Sequence, residues 1–173
     1  MSEIKRVFLV DDDPFQLEMF KDHLSSKTKF EFFTFQTGED ALSKLSELKP
    51  ELVFLDYELN SVNAKAKNGL EVLKAIKKEL PGTEVVMISG QEKIDVAVNT
   101  MRYGAFDYIV KSESAFHRSE NAIFNIIKSL KLQHDAAFYK KLSIGFAVAM
   151  GLMVLLAVVL KLTGNLNPNP SWS

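Results

Sequence analysis

A run of 19 uncharged residues, 142–160, limits what the C-terminal part of this chain can form. Only Ser143, Gly145 and Gly151 in this run are not apolar. As a helix it would be about 28 Å long, close to the roughly 30 Å hydrocarbon core of a bilayer. Because the run has no polar face, it predicts a transmembrane helix over residues 142–160. The alternative is a buried core helix.

Lysines flank this apolar run unequally. Four precede it closely and one follows it: Lys128, Lys131, Lys140 and Lys141 on one side, Lys161 on the other. An excess of positive charge marks the cytoplasmic side of a membrane helix. We therefore expect a single-pass protein of the cell membrane, with its N-terminal part in the cytoplasm. Residues 161–173 would then form a short polar tail outside.

The rest of the chain is rich in charged residues. All 22 acidic residues and all but one of the 21 basic residues lie in residues 1–141. The net charge of −1 provides no basic field, so no nucleic-acid partner is expected. The absence of Cys excludes disulfides and thiolate metal sites. His23, His117 and His134 are interpreted as isolated surface residues with no role in metal binding or phosphotransfer.

Five short apolar runs alternate with helical patterns through residues 1–130. The runs cover residues 4–10, 30–35, 52–55, 85–88 and 106–110. Apolar residues recur at helical spacing after each run. Continuous apolar strands are typical of a parallel sheet that is covered on both faces. The sequence therefore predicts an α/β fold in residues 1–130, a doubly wound, flavodoxin-like, five-stranded parallel sheet. A helical connector over residues 131–141 would follow it.

Polar side chains stand where four of the predicted strands end. In chain order they are Asp11 and Asp12, Asp56, Ser89 and Lys111. Because the carboxyl ends of parallel strands meet at one edge of a sheet, these side chains are expected to converge. Oxygen ligands without His or Cys suit Mg²⁺, and a carboxylate can attack phosphorus to form an aspartyl phosphate. Asp13, before Pro14, is interpreted as a helix cap rather than a ligand.

The strand-end motifs resemble those of the CheY-like response-regulator receiver domain. The resemblance covers about residues 3–130 and rests on four segments in order: Val10-Asp11-Asp12, Leu55-Asp56, Ile88-Ser89-Gly90 and Asp107-Tyr108-Ile109-Val110-Lys111. It implies that Asp56 is the phosphoacceptor. It also implies that Mg²⁺ is held by Asp11, Asp12, Asp56 and the backbone carbonyl of Glu58.

The same resemblance assigns roles in phosphoryl binding and in signalling. It implies that Ser89 and Lys111 contact the phosphoryl group and that Tyr108 switches its orientation together with Ser89. Members of this family receive their phosphoryl group from a histidine kinase or a phosphotransfer protein. They usually signal through the fourth helix, fifth strand and fifth helix.

The sequence departs from the family pattern at two places. Asn60 stands where a Pro is common, and the matching Gly is Gly69, so the loop of residues 57–68 is longer and contains Lys65 and Lys67. This loop is either a tolerated surface insertion or a segment that leans over the site and alters phosphorylation or dephosphorylation. Ser112 follows Lys111 where the family usually has Pro, so the turn into the fifth helix is expected to differ.

The predicted function is that of a membrane-anchored phosphoacceptor in two-component signalling. The chain would be no enzyme apart from catalysing its own phosphorylation and dephosphorylation, and it would have no output domain of its own. One alternative is a membrane scaffold with a receiver fold that acts independently of phosphorylation. Another is a Mg²⁺-dependent phosphohydrolase. A homodimer could form through a face of small residues, Ser143, Ala147 and Gly151.

Overall fold

The structure is a computed structural model that describes residues 5–59, 66–90 and 93–162. The chain divides into two compact units, Ser2–Ser129 and one that contains Leu130–Ser173. The first unit contains all of the strands, and the described part of the second is helical.

A five-stranded parallel sheet forms the centre of the first unit. Its strands are β1 (Arg6–Val10), β2 (Glu31–Phe35), β3 (Leu52–Asp56), β4 (Glu84–Ser89) and β5 (Asp107–Val110). Their order across the sheet is β2-β1-β3-β4-β5, with every pair parallel. Both faces are covered, because β1, β3 and β4 bury nearly every side chain. The predicted flavodoxin-like α/β fold is confirmed.

Five helices connect the strands or lie beside them in the first part of the chain. They are α1 (Pro14–Lys27), α2 (Gly38–Ser43), α3 (Leu45–Leu48), α4 (Gly69–Glu79) and α5 (Ile94–Arg102). The second predicted helix is divided at Lys44, whose backbone N–H bonds the carbonyl of Ala41 instead of continuing the α-helical pattern. The short α3 then ends at Lys49, which has a left-handed backbone conformation with φ 45°.

Local capping residues fix the starts of the two helices nearest the acidic edge of the sheet. The Asp13 side chain accepts a hydrogen bond from the Phe15 N–H at 2.9 Å and caps α1, as predicted. Asn68 and Glu71 form a reciprocal capping box at the start of α4. These caps fix where each helix leaves the loop that follows β1 or β3.

One long helix, α6 (Ala115–Leu162), forms the C-terminal part of the described chain. Its 48 residues include the fifth predicted helix, the predicted connector and the apolar run. The segment Lys141–Leu162 is long and apolar enough to cross a membrane, with a mean hydropathy of 2.6. Residues 163–173 of the predicted tail lie outside the described residues.

Candidate functional site

The pairing of β1 with β3 brings three carboxylates together. Val10 pairs with Leu55, so Asp11 and Asp56 end two neighbouring strands. One carboxylate oxygen from each of Asp11, Asp12 and Asp56 lies within 4.8 Å of the others. The convergence expected from the parallel strand ends is therefore present.

Lys111 joins this cluster from the end of β5. Its Nζ lies 2.8 Å from Asp11 Oδ2 and 3.1 Å from Asp56 Oδ2, so a single ammonium bridges two carboxylates. The backbone holds the lysine in place, since the Lys111 N–H donates to the Ser89 carbonyl at 2.7 Å. The positive charge offsets much of the repulsion between the two acids.

The electrostatic environment of Asp56 differs from that of an ordinary surface aspartate. The residue is only 4% exposed, and burial raises the pKa of its carboxyl to about 6 even though the Lys111 charge opposes this change. The negative charge of Asp11 raises this pKa further. Burial alone would lower the pKa of Lys111, but its hydrogen bond to Asp11 and the charge of Asp56 raise it.

One carboxylate oxygen of Asp56 is buried and lacks a hydrogen-bond partner among the described residues. Within the described part of the chain, Asp56 Oδ1 is the buried side-chain polar atom that makes no hydrogen bond. A buried carboxylate oxygen without a partner is costly, and a cation beside it would satisfy it. Three clustered carboxylates with no nitrogen or sulfur donor are the ligands that a hard divalent ion such as Mg²⁺ prefers. Glu58, two residues after Asp56, is exposed.

A chain of polar contacts leads from the site toward α6. Ser89, at the end of β4, is fully buried, and its side chain hydrogen-bonds that of Tyr108 on β5. Burial raises the pKa of the Tyr108 phenol, although this hydrogen bond opposes the change. The guanidinium of Arg118 on α6 donates to the Tyr108 carbonyl at 3.1 Å. No sequence pattern predicts a role for Arg118, because its contact depends on how α6 packs against β5.

An open groove of about 300 Å³ lies beside the site. It is bordered by α1 and by the turn from β5 into α6, and its lining includes Phe15, Met19, Lys111, Ser112 and Phe116. Phe15 and Met19 are exposed although both are apolar. The groove therefore provides an approach to the Lys111 side of the carboxylate cluster.

The long loop after β3 is only partly described. Asn60, Lys65 and most of the insertion lie outside the described residues. At its C-terminal end, Lys67 donates its backbone N–H to Glu39 Oε1 at 2.9 Å, and its Nζ lies 3.7 Å from the same oxygen. The end of the loop is thus attached to α2.

The interpretation of the histidines as isolated is wrong for two of them. His23 Nε2 lies 2.6 Å from Glu120 Oε1, and His117 Nδ1 lies 3.9 Å from the other oxygen of that carboxylate. The spacing of His117 and Glu120, three positions apart, is visible in the sequence as one helical turn. The contact with His23 requires the packing of α1 against α6. The side chain of His134 lies outside the described set.

The sequence of residues 7–120 matches the response regulator receiver domain family. The chain belongs to this family. It is 35% identical over 113 residues to a protein-glutamate methylesterase/protein-glutamine glutaminase of Thermotoga maritima, covering 64% of this chain and 31% of that protein. It is 32% identical over 127 residues to the transcriptional regulatory protein MalR of Bacillus subtilis, covering 73% and 52%. The receiver domain thus spans a third to a half of these relatives.

Solved receiver domains have the same fold. The receiver domain of NtrX from Brucella abortus is 33% identical, with a TM-score of 0.60 over 72% of this chain and 98% of that one. A CheY-like receiver domain protein from Methanospirillum hungatei is 25% identical, with a TM-score of 0.65 over 75% and 98%. The similarity covers the receiver domain of this chain and not all of α6.

Proposed function

We propose that this receiver domain accepts a phosphoryl group on Asp56 from a histidine kinase or a phosphotransfer protein. The observation that carries the proposal is the position of Lys111, whose ammonium contacts both Asp11 and Asp56 while Asp12 stands beside them. This arrangement supplies a nucleophilic carboxylate and a fixed positive charge for the transferred group. The open groove beside Lys111 offers room for the donor to approach.

The proposed step is a displacement at phosphorus. An Asp56 carboxylate oxygen attacks the phosphorus of a phosphohistidine, and the new P–O bond forms as the bond from phosphorus to the imidazole nitrogen breaks. The imidazole leaves with the bonding electron pair and takes up a proton from solvent. The positive charge of Lys111 stabilises the negatively charged phosphoryl oxygens as they approach, and the Ser89 hydroxyl donates a hydrogen bond to one of them.

The residues present fit a Mg²⁺ ion. We expect Asp12 to be a direct ligand, with Asp11, Asp56 and the Glu58 carbonyl completing the protein's share of the ligands. When bound, Mg²⁺ supplies positive charge that reduces the repulsion between the carboxylates and the phosphoryl oxygens. The unpartnered Asp56 Oδ1 supports this assignment, because it leaves one acceptor for a cation or a phosphoryl group.

Tyr108 and Ser89 provide the means for a change of conformation. Their side chains are hydrogen-bonded to each other, so a Ser89 hydroxyl drawn toward a phosphoryl group would release Tyr108. Helix α5 offers a surface that could report this change, since it exposes the apolar side chains of Ile94, Val98 and Met101. A partner that binds there would respond to the state of Asp56.

We further propose that Lys141–Leu162 anchors the protein in a membrane, with the receiver domain on the cytoplasmic side. The length and hydropathy of this segment support the proposal, as does the excess of lysines before it. Alkaline carbonate extraction of cell membranes is the test. The wild type should stay in the membrane pellet, and a double variant Leu152→Lys, Leu156→Lys should move to the supernatant.

Phosphorylation is tested with the purified full chain in detergent, Mg²⁺ and a small phosphodonor such as phosphoramidate. The wild type should gain one phosphoryl group, located on the peptide that contains Asp56 and released by hydroxylamine. Asp56→Asn should gain none, whereas Asp107→Asn, which alters an aspartate at the opposite end of β5, should behave as the wild type. Failure of the wild type to gain the group would contradict the proposal.

A partner assay separates this function from a scaffold that acts without phosphorylation. The assay compares proteins captured from a membrane extract by the wild type and by Asp56→Asn, each with and without phosphodonor. Capture that changes with phosphodonor only in the wild type supports signalling through Asp56. Capture that is identical in all four samples would favour the scaffold.

A further inference from the structure

A cluster of two imidazoles and a carboxylate lies outside the Asp56 site. His23 belongs to α1, and His117 and Glu120 belong to α6. The Glu120 carboxylate stands between the rings, with Oε1 2.6 Å from His23 Nε2 and Oε2 3.9 Å from His117 Nδ1. The cluster therefore combines donor groups from two helices on one exposed part of the domain.

Two of the three side chains are held in position. The His23 ring packs against Phe116 in a tilted arrangement, with 4.8 Å between ring centroids, and Phe116 in turn packs against Phe20 at 4.9 Å. His23 and Glu120 are each about one-third exposed and fix each other by their hydrogen bond. His117 is 76% exposed, so its side chain is free to rotate toward the carboxylate.

We propose that His23, His117 and Glu120 bind a divalent transition metal ion of the Zn²⁺ type. Two imidazole nitrogens and a carboxylate oxygen are a donor set that Zn²⁺ accepts, with water as a fourth ligand. Donor atoms around tetrahedral Zn²⁺ stand roughly 3.3 Å apart. The two distances to Glu120, 2.6 Å and 3.9 Å, lie on either side of this value. The two distances involve different oxygens of Glu120, and one donor atom from each of the three residues is not found within 4.8 Å of both others, so His117 has to rotate toward Glu120 to complete the set.

The proposed metal would link α1 to α6 independently of phosphorylation. His117 and Glu120 are one helical turn apart, so they can chelate a single ion from the same face of α6. His23 then supplies the bond from α1. The chain would then bind two kinds of cation at separate sites. Mg²⁺ would bind at the carboxylate cluster of Asp11, Asp12 and Asp56, and Zn²⁺ would bind at the site that contains imidazole nitrogens.

The test is calorimetric titration of the full chain in detergent with Zn²⁺. The Asp12→Asn variant serves as background throughout, so that binding at the Asp56 cluster is weakened. We expect one Zn²⁺ per chain and a higher Tm. His23→Gln and His117→Gln should each weaken Zn²⁺ binding by at least about tenfold. Both should keep the Tm of their parent without metal to within a few degrees, since Gln at position 23 can still hydrogen-bond Glu120 and His117 is exposed.

His134→Gln is the matched control, because it removes the remaining histidine of the chain. It should bind Zn²⁺ with the affinity of its parent. Equal affinity in all the variants would overturn the proposal and leave His23 and Glu120 as a hydrogen-bonded pair only. Loss of binding in His134→Gln alone would also overturn it. Neither result depends on whether Asp56 is phosphorylated.

Discussion

Gly69 lies directly against the backbone carbonyl of Asp56, so that a β-carbon at position 69 would overlap that oxygen. The same β-carbon would stand 2.8 Å from the Tyr57 α-carbon. The Gly69 N–H also donates to the Tyr57 carbonyl at 2.9 Å. The start of α4 is therefore packed onto the strand end that carries Asp56, and this contact allows no side chain at position 69.

Substitution of Gly69 by Ala should destabilise the domain. Ala is the better helix former, but the overlap is with backbone atoms that cannot move aside, so we expect a loss of about 3 kcal/mol. The displaced end of β3 should also slow the gain of a phosphoryl group on Asp56. Thermal unfolding of the full chain in detergent measures the first effect. Gly82→Ala is the control, since no heavy atom of the described residues, apart from its neighbours in the chain, lies within 4 Å of its added β-carbon.

The stability of the metal-free domain should depend on pH through Asp56. Burial raises the pKa of this carboxyl from 3.8 to about 6, so between these values the folded chain holds a proton that the unfolded chain has released. The free energy of unfolding should therefore fall as pH rises through this interval, by up to about 3 kcal/mol. Asp56→Asn should lose this dependence and be the more stable protein at pH 7. Denaturation with EDTA present from pH 4 to pH 8 measures the difference between the two proteins.

Mg²⁺ should stabilise the wild type at pH 7 by roughly 2–3 kcal/mol at about 100 times its Kd. Asp12→Asn should remove most of this effect, because it replaces the proposed direct ligand. Asp13→Asn should keep the effect, since Asn also caps α1 and Asp13 lies outside the carboxylate cluster. Thermal shifts with Mg²⁺ and with EDTA compare the three proteins. An equal loss in both variants would show a general charge effect rather than a specific site.

Arg118 should contribute to stability through its contact with β5. Removal of its hydrogen bond to the Tyr108 carbonyl in Arg118→Ala should cost about 1–2 kcal/mol. Arg118→Lys should recover part of this loss, and Arg102→Ala, at an exposed position on α5, should cost little. Unfolding by urea measures these values. Because Arg118 does not touch the carboxylates, the Mg²⁺ response should be unchanged in all three variants.

The strands and the residues at their ends are predictable from the sequence, because they depend on local patterns and on strand order. The apolar runs predict the five strands, and Asp11, Asp56 and Lys111 follow from the rule that parallel strands end at one edge. The break at Lys44 was not predictable, because the apolar pattern of residues 41–48 continues across it. The contact of Arg118 with Tyr108 and that of His23 with Glu120 both depend on the packing of α6, and the second joins residues 97 positions apart.

Lys111 and Asp11 are 100 positions apart, and they contact each other in the folded domain. The complete site can therefore form only after Lys111 has been synthesised. A ribosome releases Asp11 and Asp56 well before the residue that neutralises them. An unfinished chain therefore carries its acidic residues without their counter-charge, and β4 lacks its neighbour β5. If Asp56 accepts a phosphoryl group as proposed, this ability should arise late in synthesis, and nascent chains should not react with a phosphodonor.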